Sequence, residues 1–373
     1  MNKMSWSIKQ WKDVLSIVNG KNQKEVQSDN GAYPIIGSGG EIGRANDFLC
    51  EAGSTVVGRK GTINNPFFVG ERFWNVDTAF GIQPRENLNP KFLFYFCKSY
   101  NFKKLDKSTT IPSLAKTDLL KIEMPVPSLD EQEKIVNRIE ELFSELDSAV
   151  ETLKKTKEQL AVYRQSVLKE AFTQFTHKEK IKDHSEFVTS GSRGWAQYYS
   201  DEGVRFIRIT DLTRDRIVLK NDDIQYVALP DNVEGKRSRL KANDILVSIT
   251  ADLGSIALIP EEIQEAYINQ HIALVRLSNP ETAKFTALYL KSDWGQKDLL
   301  KNKRGGGKMG LGLDDIRDTP IPVVSTDIAN KIVSQIESRL SACENIEKTV
   351  NDALIQADAM RQSILKKAFE GDL

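Results

Sequence analysis

The sequence predicts an α+β chain: two globular α/β domains in tandem, each followed by a long helix, with the two helices pairing as a coiled coil. Three observations lead there. A stretch in the middle of the chain returns at its end, both copies carry an apolar stripe of helical period, and short strand-like runs with glycine turns precede each copy in the same order.

The repeat is the strongest of the three. Lys134–Phe172 aligns without a gap on Lys331–Phe369 at an offset of 197, and 15 of the 39 pairs are identical, where chance would give roughly two or three. In the first copy apolar or small residues fall at Ile135, Ile139, Leu142, Leu146, Ala149, Leu153, Thr156, Leu160, Tyr163 and Val167. This alternation of four and three marks a coiled-coil seam. The same register in the second copy gives Ile332, Ile336, Arg339, Cys343, Ile346, Val350, Ala353, Ala357, Met360 and Ile364, with Leu340 beside the charged Arg339. Each helix extends roughly 65 Å at ~1.5 Å per residue, too long to bury its stripe inside one domain. Two matching helices in one chain meet at high effective concentration, which favours pairing with each other over pairing with another protein.

The first globular segment, residues 1–125, is rich in short strands and turns. WSIKQWKDVLSIVNG reads as an amphipathic helix closed by Gly20. YPIIGSGGEIG, STVVGRKGTI and NVDTAFGIQP read as strands between glycine loops, NPKFLFYFCKSYNFKKL as a helix with Phe92, Tyr95, Phe96 and Phe102 toward a core, KSTTIPSLAK as a polar loop and KIEMPVP as a strand. Residues 126–174 hold the central helix. The second globular segment, 175–322, repeats the order: RFIRITDL, NDILVSIT, GSIALI and QHIALVRL are strand-like, FTALYLKSDW is helical, and KNKRGGGKMGLG takes the place of the polar loop. Residues 323–373 close the chain with the second helix.

Composition permits real cores in 373 residues and contains no apolar run near the ~20 residues of a membrane span. MNKMSWSIKQW lacks a signal-peptide core, so a cytoplasmic location is expected. Cys50, Cys97 and Cys343 have no metal or redox spacing and read as reduced structural thiols. Net charge is zero but unevenly spread. Residues 1–124 carry 17 basic against 12 acidic side chains, residues 125–174 carry 7 against 10, and the last 53 carry 6 against 8. A neutral protein can therefore present a local positive surface.

The common catalytic constellations are missing. Gly37, Gly39, Gly40 and Gly43 break the dinucleotide spacing at Ile42, and Gly307–Lys308–Met309 lacks the other parts of a P-loop. His177, His184 and His271 offer no metal pairing. Asn65–Pro66–Phe67 is an incomplete version of an amino-methyltransferase loop. Asp231 and Glu234 stand too close in sequence for a nuclease metal site and suit a charged turn. What does recur is cationic residues in glycine- or hydroxyl-rich loops. Arg59 and Lys60 form one such loop, and Lys103, Lys104, Lys107, Ser108, Thr109 and Thr110 a second. Lys236, Arg237 and Arg239, then Lys303, Arg304 and Lys308, are their approximate counterparts in the second half; Lys116 and Arg193 join them. Backbone amides and cations in such loops suit phosphate contact, and arginine can read guanine edges.

Taken together, MPVPSLDEQEKIVNRIEELF at 124–143, the terminal QSVLKEAF and QSILKKAF, YPIIGSGGEIG, VVGRKGTI and FWNVDTAF, and in the second half RLKANDILVSITADLGSIALI and NQHIALVRL, resemble the specificity subunit of type I restriction-modification systems. The second copy departs from the pattern, since Asp327–Asn330 replaces the Asp-Glu-Gln-Glu of the first. The resemblance implies two target-recognition domains, each reading half of a bipartite double-stranded DNA target, on an antiparallel pair of helices. It implies no catalytic site, metal or cofactor on this chain. Partners would be two modification subunits that bind S-adenosylmethionine, with restriction subunits using ATP and Mg. The rival classes are a stand-alone DNA methyltransferase or nuclease, and a coiled-coil adaptor without a DNA role.

Overall fold

The computed structural model describes residues 6–230, 236–301 and 310–373, the side chain of Lys236 apart. The chain forms two compact units, Met1–Leu153 with Asn351–Leu373, and Lys154–Val350. Each holds one globular body and half of each long helix.

The first unit is built on a four-stranded antiparallel sheet in the order Leu15–Asn19, Ala79–Pro84, Ser54–Gly58, Phe67–Val69. Ser54–Gly58 is buried at all five positions, as a run lined with valine between two neighbours requires. A smaller sheet joins Gly40–Ala45 to Tyr33–Gly37, which pairs in parallel with Trp74–Asn75. The helix Pro90–Ser99 starts where the Asn89 side chain accepts from the N–H groups of Lys91 and Phe92, with proline at the first turn.

The N-terminal segment is not the amphipathic helix its pattern suggests. It folds as strand Ser7–Gln10, a single turn Trp11–Val14, and strand Leu15–Asn19. The competing partner is distant: Ser7–Gln10 pairs with Glu123–Val126, more than a hundred residues on, and the ladder outweighs local helical period.

The second unit repeats the plan. Its main sheet runs Ser185–Ser190, Ile272–Leu277, Ile245–Ser248, Ile256–Leu258, again antiparallel. Its smaller sheet contains Val204–Ile207 in parallel with Ala266–Ile268. One connection differs. Ser38 and Gly39 suffice between the strands Tyr33–Gly37 and Gly40–Ala45, whereas residues 208–225 separate Val204–Ile207 from Tyr226–Val227.

The long helices are Leu129–Phe172 and Thr326–Glu370. In the first unit Ile135, Val136 and Ile139 share a core with Leu365 and Ala368; in the second Val167, Leu168 and Phe172 share one with Ala329, Ile332, Val333 and Ile336. The start of one helix therefore lies against the end of the other in both units, which makes the pair antiparallel. Each helix has a phenylalanine, the last residue of the first and the next-to-last of the second, held by two aromatic rings of the shorter helix. Phe369 lies 5.1 Å from Phe92 and 5.3 Å from Phe96; Phe172 lies 5.2 Å from Phe285 and 5.4 Å from Tyr289.

The helix starts are held differently. Gln132 is buried, accepts from the N–H of Asn89 at 2.7 Å, and donates to the carbonyls of Asn87 and Pro127. Its counterpart 197 residues on is the buried Ala329, and there Asn279 donates to Thr326 Oγ1 instead.

Along the seam, every seventh residue is turned inward as the stripe demands: Ile139, Leu146, Leu153, Leu160 and Val167, and Ile336, Cys343, Val350, Ala357 and Ile364. Ile135 and Ile332 are buried too, and Leu142 is half-buried. The intervening position lies one residue later than its expected place. Ile346 and Met360, which the apolar stripe places in the seam, are 47% and 54% exposed, and Ala149 and Tyr163 also face outward. Phe143, Val150 and Arg164, and Glu347, Leu354 and Arg361, stand there instead. Charged residues at seam positions misled the apolar pattern, and their charges are matched: Arg164 donates to Glu347 at 2.7 Å, while Arg361 pairs with Asp147 and lies 5.1 Å over the Phe143 ring.

Candidate nucleic-acid interface

In the first unit two of the cationic loops meet. The turn after Ser54–Gly58 is anchored by the N–H of Arg59 to the carbonyl of Thr78 at 2.7 Å, and Gly61 adopts φ +80°, a left-handed conformation that glycine takes without strain. The chain 107–114 comes alongside: Gly61 N–H donates to Pro112, and Leu114 N–H to Arg59. Arg59 and Lys60 thus sit beside Ser113 and Leu114, at the end of the loop that carries Lys107, Ser108, Thr109 and Thr110.

Asp106 shapes that loop. Its Oδ1 accepts from Ser108 Oγ at 2.6 Å and from the N–H groups of Ser108 and Ser113. The Ser108 hydroxyl first, then those amides, hold the carboxyl below its usual range. Lys107 bonds Asp118 at 2.8 Å and lowers that carboxyl as well. Thr109, Thr110 and Ile111 remain at the exposed tip, with Ile111 63% exposed. An isoleucine presented between hydroxyls and cations suits apolar contact with a thymine methyl. The candidate set omitted it, although an apolar residue directly before Pro112 in a polar loop was the available signal.

Lys116 does not belong to this surface. Its ammonium turns inward to the carbonyl of Ile17 at 2.6 Å. Lys103 and Lys104 are exposed on the short turn Phe102–Leu105, and Lys103 lines a separate recess.

The second unit has the same construction with different chemistry. Leu311, 197 residues after Leu114, donates its N–H to Ile249, and Gly310 bridges to Thr250. The counterparts of Arg59 and Lys60 are therefore Ile249 and Thr250, not the Lys236–Arg239 segment. Thr250 Oγ1 lies 2.7 Å from His271 Nδ1, and Gln270 reaches the other ring nitrogen at 3.1 Å. Ala251 beside them holds φ +54°, and Gly254 closes the turn at φ +81°, matching Gly61. A non-glycine residue in the left-handed region marks a loop whose shape is held by its surroundings. Neither His271 nor Ala251 stood among the candidates, because no motif marks them.

Arg193 is exposed just before Gly194, and Arg237 Nε donates to Thr189 Oγ1 at the end of the strand Ser185–Ser190. Arg239 pairs with Glu265 at 3.7 Å. Lys303, Arg304 and Lys308 lie outside the described residues.

Among the described residues no group of three or more histidine, cysteine, aspartate or glutamate side chains could hold a metal ion, and no helix is long and apolar enough to cross a membrane. Cys50 is buried, and that burial, with the Glu51 charge, pushes its thiol up to about 12, so it is not a thiolate nucleophile at neutral pH. The arrangement can contact phosphates and base edges; among the described residues it carries no assembled acid–base or nucleophile pair.

The specificity subunit of the Escherichia coli type I restriction enzyme EcoBI is 27% identical to this chain over 352 residues, covering 85% of this chain and 73% of that protein. The EcoDI specificity subunit, also from Escherichia coli, is 20% identical, covering 99% and 89%. Among solved structures, a chain from a type I R-M system matches with a TM-score of 0.77 at 16% identity, covering 99% of this chain and 98% of that one. The HsdS subunit from Thermoanaerobacter tengcongensis gives 0.56 at 17% identity, covering 99% and 98%. At such identities these structures show the shared fold alone. The family model of the type I restriction modification DNA specificity domain matches both halves, residues 4–161 and 195–356, and the chain belongs to that family.

Proposed function

We propose that this chain reads a bipartite DNA target, one half-site through each globular domain, with the paired long helices fixing the gap between them. As a specificity subunit it is a recognition component and not an enzyme. One observation carries the bipartite reading: the same fold stands twice in one chain, and in each copy the turn after the central strand meets the loop ending at Leu114 or Leu311. Matching scaffolds bearing different loop chemistry suit two readers of different sequences. Half-site centres about one helical turn apart, ~34 Å, would let both domains face one side of the duplex. Phosphate contacts fix register while a few side chains read bases. Two modification subunits carrying S-adenosylmethionine would assemble on this chain, and restriction subunits would supply the chemistry that needs ATP and Mg.

The test is a domain exchange. Replacing residues 1–120 by the first domain of another specificity subunit should replace one half of the methylated motif and leave the other intact. A change in both halves would refute the division into two readers. Purified chain that methylates or cuts DNA alone would instead favour a stand-alone enzyme.

A further inference from the structure

The two units carry one lysine in the same place. Lys98 lies near the end of the helix Pro90–Ser99, and Lys291 ends Ala283–Lys291. Each directly follows the segment that clamps a long-helix phenylalanine, and each stands near the seam arginine of its unit, Arg361 or Arg164.

In the second unit Lys291 is only 5% exposed. The segment inserted after Val204–Ile207 folds back over it, and the ammonium donates to the carbonyls of Thr213, at 3.3 Å, and Arg214. Next to these, Asp215 approaches Arg164 at 3.8 Å, and Arg216 reaches Glu347 at 2.9 Å. The segment also joins the sheet edge, where Leu258 N–H donates to Ile217.

The first unit has only the Ser38–Gly39 turn at that point, and nothing described lies over its lysine. Lys98 is exposed, and no described hydrogen bond or ion pair engages its ammonium or that of Lys103. Both line a recess of about 480 Å³ with Asn64, Asn65, Asn101 and Gln362. Arg361 nearby is already committed to Asp147. The recess is cationic and rich in amides, so it asks for carbonyl or carboxylate acceptors. In the matching place of the second unit a stretch of polypeptide supplies both.

We infer that the Lys98–Lys103 recess receives a loop of a partner protein bearing main-chain carbonyls and a carboxylate, which does from outside what residues 213–216 do from within in the second unit. The identity of that partner as the modification subunit rests on the proposed function. Uncompensated ammonium groups would also attract a phosphate, and the experiment separates the two.

Lysine methylation of the full chain, read by peptide mass spectrometry, is compared for the chain alone, with a target duplex, and assembled with modification subunits. Lys98 and Lys103 should react in the free chain and with duplex, and become protected on assembly, while Lys291 stays slow throughout. Combined Lys98→Glu and Lys103→Glu should weaken assembly by ~10-fold or more while Lys98→Arg retains it. Lys98 staying reactive in an assembled complex would overturn the inference and leave the proposed function standing. Protection by duplex alone would make the recess a phosphate site and overturn it too. Failure of the unaltered chain to assemble would sink both readings.

Discussion

The two units solve one packing problem alike and finish it differently. Both clamp the terminal phenylalanine of a long helix between two rings, and both stack the same order of strands. Beyond that core they part. The second unit covers the seam with its own inserted segment, so Arg164 sits among Glu347, Asp215 and Arg216; in the first unit Arg361 meets Asp147 near solvent. Buried contacts fix the frame, and connections of unequal length change what the frame exposes.

The largest test of the likeness is the phenylalanine clamp. Phe172→Ala should cost about 3–5 kcal/mol in denaturant unfolding, because it removes a buried ring held by two others, and Phe369→Ala somewhat less, because its ring is held by two others but only half-buried. A small loss in one alone would show that the two clamps are not equivalent. The unlike part is tested at the arginines. Arg164→Leu leaves the half-buried Glu347, whose side chain is 17% exposed, to Arg216 alone, and should cost about 1.5–3 kcal/mol, the worth of a hydrogen bond to a charged group. Arg361→Leu should cost under about 1 kcal/mol, since Asp147 is 62% exposed and can be solvated. Equal losses would erase the distinction between the units.

A smaller effect follows from pH. Burial pushes the Glu347 carboxyl up, but Arg164, with Arg216, outweighs it and holds the group below its ordinary value. A depressed carboxyl gives stability that is fully present above the ordinary carboxylate range and is lost as pH falls through the folded value. Acid unfolding of the second unit should therefore flatten in Glu347→Gln, with the first unit unaffected. An unchanged acid limb would mean the pair contributes nothing. The smallest expected change is in DNA binding: Arg59→Glu should weaken affinity and lower the salt slope by about one phosphate contact, ~0.9 in log–log terms. Lys116→Gln should leave the slope alone, because its ammonium is spent on Ile17.

The repeat and the two long helices were legible because a period sustained over forty residues survives any single exception. The phase of the seam was not, since Arg164, Glu347 and Arg361 look like solvent-facing charges until their partners are known. Nor was the strand Ser7–Gln10, whose partner Glu123–Val126 is remote in sequence. At the interface the meeting of Arg59 with the 107–114 loop was beyond reach of spacing, while the basic, hydroxyl-rich character of both segments was plain. The second unit's His271 and Ala251 escaped because they carry no charge pattern; only the fold brings Thr250 to the imidazole.

The claim on which the account turns is that helix length sets the distance between half-sites. Inserting four residues into each long helix, after Thr156 and after Ala353, adds one turn, ~6 Å. The methylated motif of cells carrying the lengthened subunit should keep both half-sites and widen its gap by about two base pairs at 3.4 Å each. Both halves intact with an unchanged gap would contradict it.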